Sequence, residues 1–187
     1  MSIPTHITGA SSAMLDDPKT LEEIASINML AFSGNNAGDN NTRFAKMQIR
    51  SNLSSPDYRY YIAFREKEVV GYIGWKVLGG FAREHPVIEL DQIAISEKAR
   101  GNRIAPRLIE ETVQDAVFAL TATNPRFQHD SPVHLVVWTY ADNDSANKIY
   151  DYYFTDGVNG SRNQYGNDEV MKSRTLEAPY SLKKPHE

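Results

Sequence analysis

Eight residues, Lys98-Ala99-Arg100-Gly101-Asn102-Arg103-Ile104-Ala105, place three cations and one glycine just ahead of a helical pattern. The first N–H groups of a helix have no partner inside it and carry partial positive charge. An anion, above all a pyrophosphate, can sit there. Gly101 lets the backbone come close. Pro106 is tolerated only in the first helical turn, which puts the helix start near Arg103 or Ile104. The plain alternative is a solvated basic helix cap. Upstream, Glu89 and Asp91 stand two residues apart in an apolar run, Val87 to Ser96. Side chains alternate along a strand, so both carboxylates face one side. Downstream, Asn143, Ala146 and Tyr150 are spaced i, i+3, i+7 and share one helix face. The plain alternative for Tyr150 is a core aromatic, a reading open to Tyr152 and Tyr153 as well.

The chain has no cysteine. Thiolate nucleophiles, disulfides and zinc knuckles are therefore excluded. The five histidines show no metal-ligand spacing. Among them only His134 starts a strand beside the other candidates. Neither a Rossmann glycine pattern nor a Walker lysine occurs.

These residues need elements to position them. Asp16 to Thr20 reads as a helix entry, followed by Leu21, Ile24, Ile27, Met29, Leu30 and Phe32 at helical spacing. Residues 33–42 are polar and glycine-containing, either a connector or a lid on the substrate side. Arg43 to Leu53 is a second helix. Tyr58 to Arg65 and Val69 to Leu78, joined across Glu66-Lys67-Glu68, form a hairpin. Val87 to Ser96 is a third strand and Ile104 to Thr121 a long helix. Pro132 to Tyr140 is a strand and Asp144 to Phe154 a helix. Glu169 to Leu176 is the last strand, paired with a short one near Ser161 to Tyr165. The last ten residues read as a tail. Strand–helix–strand implies a parallel crossover, and the hairpin implies antiparallel pairing. The fold class is α/β (α+β), a mixed sheet flanked by helices.

The length, 187 residues, suits a single domain over 1–187 with short terminal tails. A 41% hydrophobic content gives it a real core. The net charge of −4 argues against nucleic acid as the main partner, since phosphate neutralisation needs clustered cations. The N-terminus has no basic and apolar leader, and no run reaches the length of a membrane span. The expected setting is the cytoplasm, with no membrane partner, and a homodimer is left open.

The segment Arg100-Gly101-Asn102-Arg103-Ile104-Ala105 resembles the coenzyme signature of the GNAT acetyltransferases: Arg or Gln, two residues, Gly, one residue, then Gly or Ala. Arg100, Gly101, Ile104 and Ala105 match, and Arg103 replaces the central glycine. Asn143, Ala146, Ile149 and Tyr150 are similar to the later motif of that family, in which a strand leads to Asn, Ala, an aliphatic residue and Tyr. Phe154-Thr155 stands where Gly-Phe is usual. The element order from Leu21 to Leu176 agrees, with motif support from about 87 to 155.

The resemblance implies a mostly antiparallel sheet with central parallel strands, and an N-acetyltransferase that uses acetyl-CoA and an amine acceptor in a ternary complex. Arg100, Gly101, Asn102, Arg103, Ile104 and Ala105 would hold the pyrophosphate. The backbone of Ile93, Ala94 and Ile95 would meet the pantetheine arm and thioester carbonyl, and Asn143 would bond the pantetheine. Tyr150 would protonate the leaving thiolate. An amine of pKa near 10.4 is only about 0.04% neutral at pH 7, so a base helps. Glu89 is the expected base, with Asp91 in reserve; a sheet face touching solvent is the alternative for both. Larger acyl groups, hydroxyl acceptors and a non-catalytic acyl-CoA-binding module on the same fold stay open.

Overall fold

The branched and alternating runs are strands and the 3.6-period segments are helices. The computed structural model describes residues 4–32, 40–79, 84–164 and 166–182. In chain order these give β1 (Thr5–Gly9), α1 (Ser12–Asp16), α2 (Pro18–Phe32), α3 (Asn40–Ser54), β2 (Tyr58–Arg65) and β3 (Glu68–Leu78). Then come β4 (Val87–Ile95), a single 3-10 turn (Glu97–Ala99), α4 (Ile104–Thr121), β5 (Val133–Tyr140), α5 (Asp144–Tyr153), β6 (Val158–Gln164) and β7 (Asn167–Leu176). One seven-stranded sheet has the order β1-β2-β3-β4-β5-β7-β6. It is mixed and mostly antiparallel: β4 and β5 are parallel, from Val87 opposite His134 to Leu90 opposite Val137. The ladder ends there, short of Ile93. Among the described residues no helix is long and apolar enough to cross a membrane.

The chain divides into two compact groups, 1–74 with 92–112 and 75–91 with 113–187. In the first, Leu21, Ile24 and Ala25 of α2 recur at helical spacing and pack with Ala45 and Ile49 of α3 against Tyr60, Ile62, Tyr72 and Ala94. Burying one such aliphatic side chain contributes roughly 1.5–3 kcal/mol. Asp17 caps α2: its Oδ2 accepts from Thr20 N at 3.0 Å and from Thr20 Oγ1 at 2.6 Å. Asn28 continues the buried stripe of α2 and donates to the Tyr72 hydroxyl at 2.5 Å. β1 pairs antiparallel with β2, from Thr5 opposite Arg65 to Gly9 opposite Tyr61.

In the second group, Val113, Ala116, Val117 and Leu120 form the buried stripe of α4, and Val133, Leu135 and Val137 the buried face of β5. β7 pairs with the whole of β5, from Val133 opposite Leu176 to Tyr140 opposite Glu169. β6 pairs with β7 and shifts register between Val158 and Gly160.

Several expectations change. β1 and α1 were not foreseen, α3 begins at Asn40, and β6 runs over Val158–Gln164 rather than 161–165. Residues 33–39 of the expected connector or lid lie outside the described residues, as do 183–187 of the expected tail and Tyr165. The rest of that tail is packed: Tyr180 and Leu182 are buried. The Tyr180 hydroxyl lies 2.8 Å from the His129 carbonyl and 2.7 Å from that of Ser131. Its ring meets Phe118 edge-on at 5.6 Å.

Candidate active site

The basic turn follows from how β4 ends. Ser96 N donates to Val70 O at 3.0 Å, and Ala99 N donates back to Ser96 O at 2.9 Å. Ala99 is buried and pins the 3-10 turn, while Arg100, Gly101, Asn102 and Arg103 are exposed. Asn102 Nδ2 closes the loop on the carbonyls of Ala99 (3.1 Å) and Arg100 (3.2 Å). α4 then starts at Ile104, where Pro106 required it. Its second turn begins with Arg107 N bonded to Arg103 O at 3.2 Å.

Two residues of this turn are left-handed, Gly101 at φ 78° and Arg103 at φ 56°. A Cβ on Gly101 would meet nothing within 4 Å, so its need for glycine is conformational rather than steric. Arg103 takes the same hand with a side chain, at a cost of roughly 1–2 kcal/mol. The motif position where glycine is usual is therefore one where the backbone asks for glycine. Turns of this hand can aim successive N–H groups at one anion. Arg100 Nη1 lies 4.0 Å from Glu97 Oε1, an exposed pair of little strength.

Glu89 and Asp91 do share a face. Both reach Lys76 of β3, whose Nζ lies 3.0 Å from Glu89 Oε2 and 2.5 Å from Asp91 Oδ1. Glu89 is buried and Asp91 half-buried. Burial raises the Glu89 carboxyl above its ordinary value; Lys76 opposes this, Asp91 adds to it and Arg162 opposes it. Burial disfavours the Lys76 ammonium, yet its bonds to Asp91 and Glu89 prevail and hold its pKa above the usual value. Sequence reading missed Lys76. The available signal was a lone lysine in the apolar run of β3, where a buried charge needs a partner.

The Tyr72 hydroxyl lies 3.4 Å from Gln92 Oε1. Gln92 Oε1 also lies 3.4 Å from Asn28 Nδ2 and from the Tyr60 hydroxyl. Of the residues expected to meet the pantetheine, Ala94 is buried and Ile93 and Ile95 are half-buried.

Beside Glu89, β5 carries Val136 in register and then Trp138. The Arg162 guanidinium lies 4.2 Å from the Trp138 ring centroid and is held by Glu169 at 2.5 Å. Gly160 passes the Trp138 ring at ordinary contact distance: a Cβ there would stand 3.5 Å from the indole. This floor was not read from sequence, because its members lie on three separate strands. His134 is exposed, with Nδ1 3.1 Å from Thr175 Oγ1.

Asn143 is the N-cap of α5; its side-chain oxygen accepts from Ala146 N at 3.1 Å. That local job accounts for one end of its carboxamide. Tyr150 is buried on the same helix and meets Phe154 edge-on at 5.9 Å. Burial pushes its hydroxyl well above the ordinary phenol value, so the proton stays on.

Solved structures of the same architecture include an aminoglycoside acetyltransferase from an uncultured soil metagenomic sample, in complex with sisomicin. It is 16% identical, with a TM-score of 0.62 over 86% of this chain and 94% of that one. The PaiA N-acetyltransferase of Thermoplasma acidophilum, in complex with coenzyme A, is 13% identical, with a TM-score of 0.60 over 92% and 99%. Arabidopsis thaliana Naa50, in complex with a bisubstrate analogue, is 12% identical, with a TM-score of 0.58 over 92% and 99%. At these identities the likeness speaks for the fold. No curated protein sequence matches the chain. The family model of the acetyltransferase (GNAT) family matches residues 21–124, more than half of the sequence, and the chain belongs to that family.

Proposed function

We propose that this chain transfers an acetyl group from acetyl-CoA to an amine by direct attack in a ternary complex. The observation that carries the proposal is the turn at 100–105: two left-handed residues and two arginines at the open N-terminus of α4. Its donor set suits a pyrophosphate, with backbone N–H groups from the helix start and charge from Arg100 and Arg103. Ile93, Ala94 and Ile95 would offer backbone groups to the pantetheine and thioester, and the nitrogen end of Asn143 would bond the pantetheine. Glu89 takes the proton that makes the amine neutral. The amine nitrogen attacks the thioester carbonyl, the C–S bond breaks, the Tyr150 hydroxyl gives its proton to the thiolate, and the second proton lost by the acylated nitrogen restores the phenol. A phenol held protonated by burial suits that last step.

Two neighbours were solved with compounds that bear on the acceptor, sisomicin in one and CoA-Ac-MVNAL in the other. An aminoglycoside amine and a peptide N-terminus therefore head the acceptor panel. The test is calorimetry with acetyl-CoA, followed by thiol release across that panel; with no cysteine in the enzyme the thiol background is clean. Binding together with release on one amine supports the proposal. Binding without release on any amine makes the chain a non-catalytic acyl-CoA-binding module, the reading that Arg103 in place of glycine keeps in view. No binding at millimolar ligand ends both.

A further inference from the structure

Lys76 is placed by β3 against two carboxylates that the next strand aims at it. We propose that Lys76 is a positioning residue of the acetyl-transfer reaction, holding Asp91 as its counter-ion so that Glu89 is the carboxylate left to take the amine proton. The inference rests on the function proposed above and assigns roles within that site.

The geometry is asymmetric. Lys76 Nζ stands 2.5 Å from Asp91 Oδ1 and 3.0 Å from Glu89 Oε2. An ammonium has three donors, so it can hold both carboxylates at once. The shorter contact falls on Asp91, the more exposed of the two (15% of its side chain against 11% for Glu89). Without the lysine, two same-face carboxylates would repel and share a proton over a wide pH range. With it, the cation stands between the two carboxylates and offsets their repulsion.

Glu89 then keeps what a base needs. It is 8% exposed, and burial raises its affinity for a proton while the lysine beside it keeps that rise in check. The groups facing it are Lys76 on β3, Asp91 on β4, the uncharged Val136 and Trp138 on β5, and Arg162 on β6. Arg162 is itself held by Glu169 of β7 and lies over Trp138. Lys76 is thus the cation in contact with Glu89, and Arg162 acts from further off.

The sign of two substitutions separates this role from a structural one. Lys76→Met removes the cation and leaves the carboxylates facing each other. Glu89 then holds its proton more tightly, and the acid limb of kcat moves to higher pH. A shift of about one pH unit lowers kcat about tenfold at any pH below the limb. Asp91→Asn has the opposite effect: Lys76 turns wholly to Glu89, and the acid limb moves to lower pH. Lys76→Arg keeps the charge and returns the limb towards its original place.

The experiment is the pH profile of kcat at saturating acetyl-CoA for the wild type and the three variants. It uses one amine throughout, so that the acceptor's own titration cancels. Folding is checked by circular dichroism and coenzyme affinity by calorimetry. Opposite limb shifts in Lys76→Met and Asp91→Asn, with rescue in Lys76→Arg, support the inference. An active wild type with unmoved limbs in the folded variants overturns it alone. If Lys76→Met does not fold, the downward shift in Asp91→Asn still decides, and its absence overturns the inference. A wild type that binds acetyl-CoA yet turns over no amine overturns the proposed function, and the role of Lys76 with it.

Discussion

Arg103 follows Gly101 by two residues and repeats its left-handed backbone, φ 56° after φ 78°. One of the two is the residue that adopts this hand without strain, and the other is not. The pair therefore separates two roles that a glycine-rich loop usually merges, backbone shape and charge.

Arg103→Gly should relieve roughly 1–2 kcal/mol of strain and add back roughly 0.5–1 kcal/mol of chain entropy lost on folding. The net effect is a small gain in stability, a Tm rise of about 1–3 °C for a chain of this size. It also removes a guanidinium from the turn, so acetyl-CoA affinity should fall severalfold and depend less on salt. Gly101→Ala should behave differently: the side chain has room, but φ 78° is strained for it, so Tm falls. Thermal melts and calorimetry at two salt concentrations check both. A lower Tm in Arg103→Gly would mean that the arginine makes contacts that outweigh its backbone strain.

Arg100→Ala should weaken acetyl-CoA binding and leave Tm without ligand nearly unchanged, since its pair with Glu97 is exposed and at 4.0 Å. In the wild type, acetyl-CoA should raise Tm, because a ligand that binds the native state alone stabilises it by mass action. The rise should shrink in the variant. Equal rises in both proteins would take Arg100 out of the coenzyme site.

The long elements were legible because their apolar periods are long and regular, as in α2, α4 and β2 to β5. Pro106 gave the start of α4 through one steric rule, and strand alternation gave the shared face of Glu89 and Asp91. What escaped reading depends on partners distant in sequence. β1 has the run Thr-His-Ile-Thr-Gly, too short and polar to signal itself, and exists through its ladder with β2. Lys76 gains its meaning only from carboxylates on the next strand. The left hand of Arg103 leaves no mark in a side chain's identity. Tyr180 read as tail because its two carbonyl partners lie about fifty residues earlier.

Tyr150→Phe deletes one hydroxyl from a buried ring and should leave the edge-on contact with Phe154 in place. We expect near-native stability and coenzyme binding, with turnover reduced on the order of 10²-fold, the scale of a positioned general acid. The loss should be steady across neutral pH, because burial keeps this phenol protonated well past its ordinary value. Wild-type turnover in the variant would return Tyr150 to a packing role.

Glu89→Gln keeps the shape of the side chain and removes its charge. Turnover should fall strongly near neutral pH and recover in part at high pH, where the amine loses its proton unaided. Acetyl-CoA affinity should barely change. The same substitution tests the electrostatics without any substrate. The folded-state pKa of Glu89 lies above its unfolded value, mainly through burial. A group shifted this way adds stability while protonated, below the unfolded value, and loses it as pH rises through the folded one. The wild type should therefore lose ground to Glu89→Gln as pH climbs from about 4 through the raised folded pKa, so the Tm difference should widen in favour of the variant over that window. A constant difference would mean that Lys76 fully offsets the burial of the carboxylate. If Asp91→Asn rather than Glu89→Gln lost turnover at neutral pH and regained it at high pH, the two carboxylates would have exchanged roles. Asp91 would then be the base and Glu89 the counter-ion of Lys76.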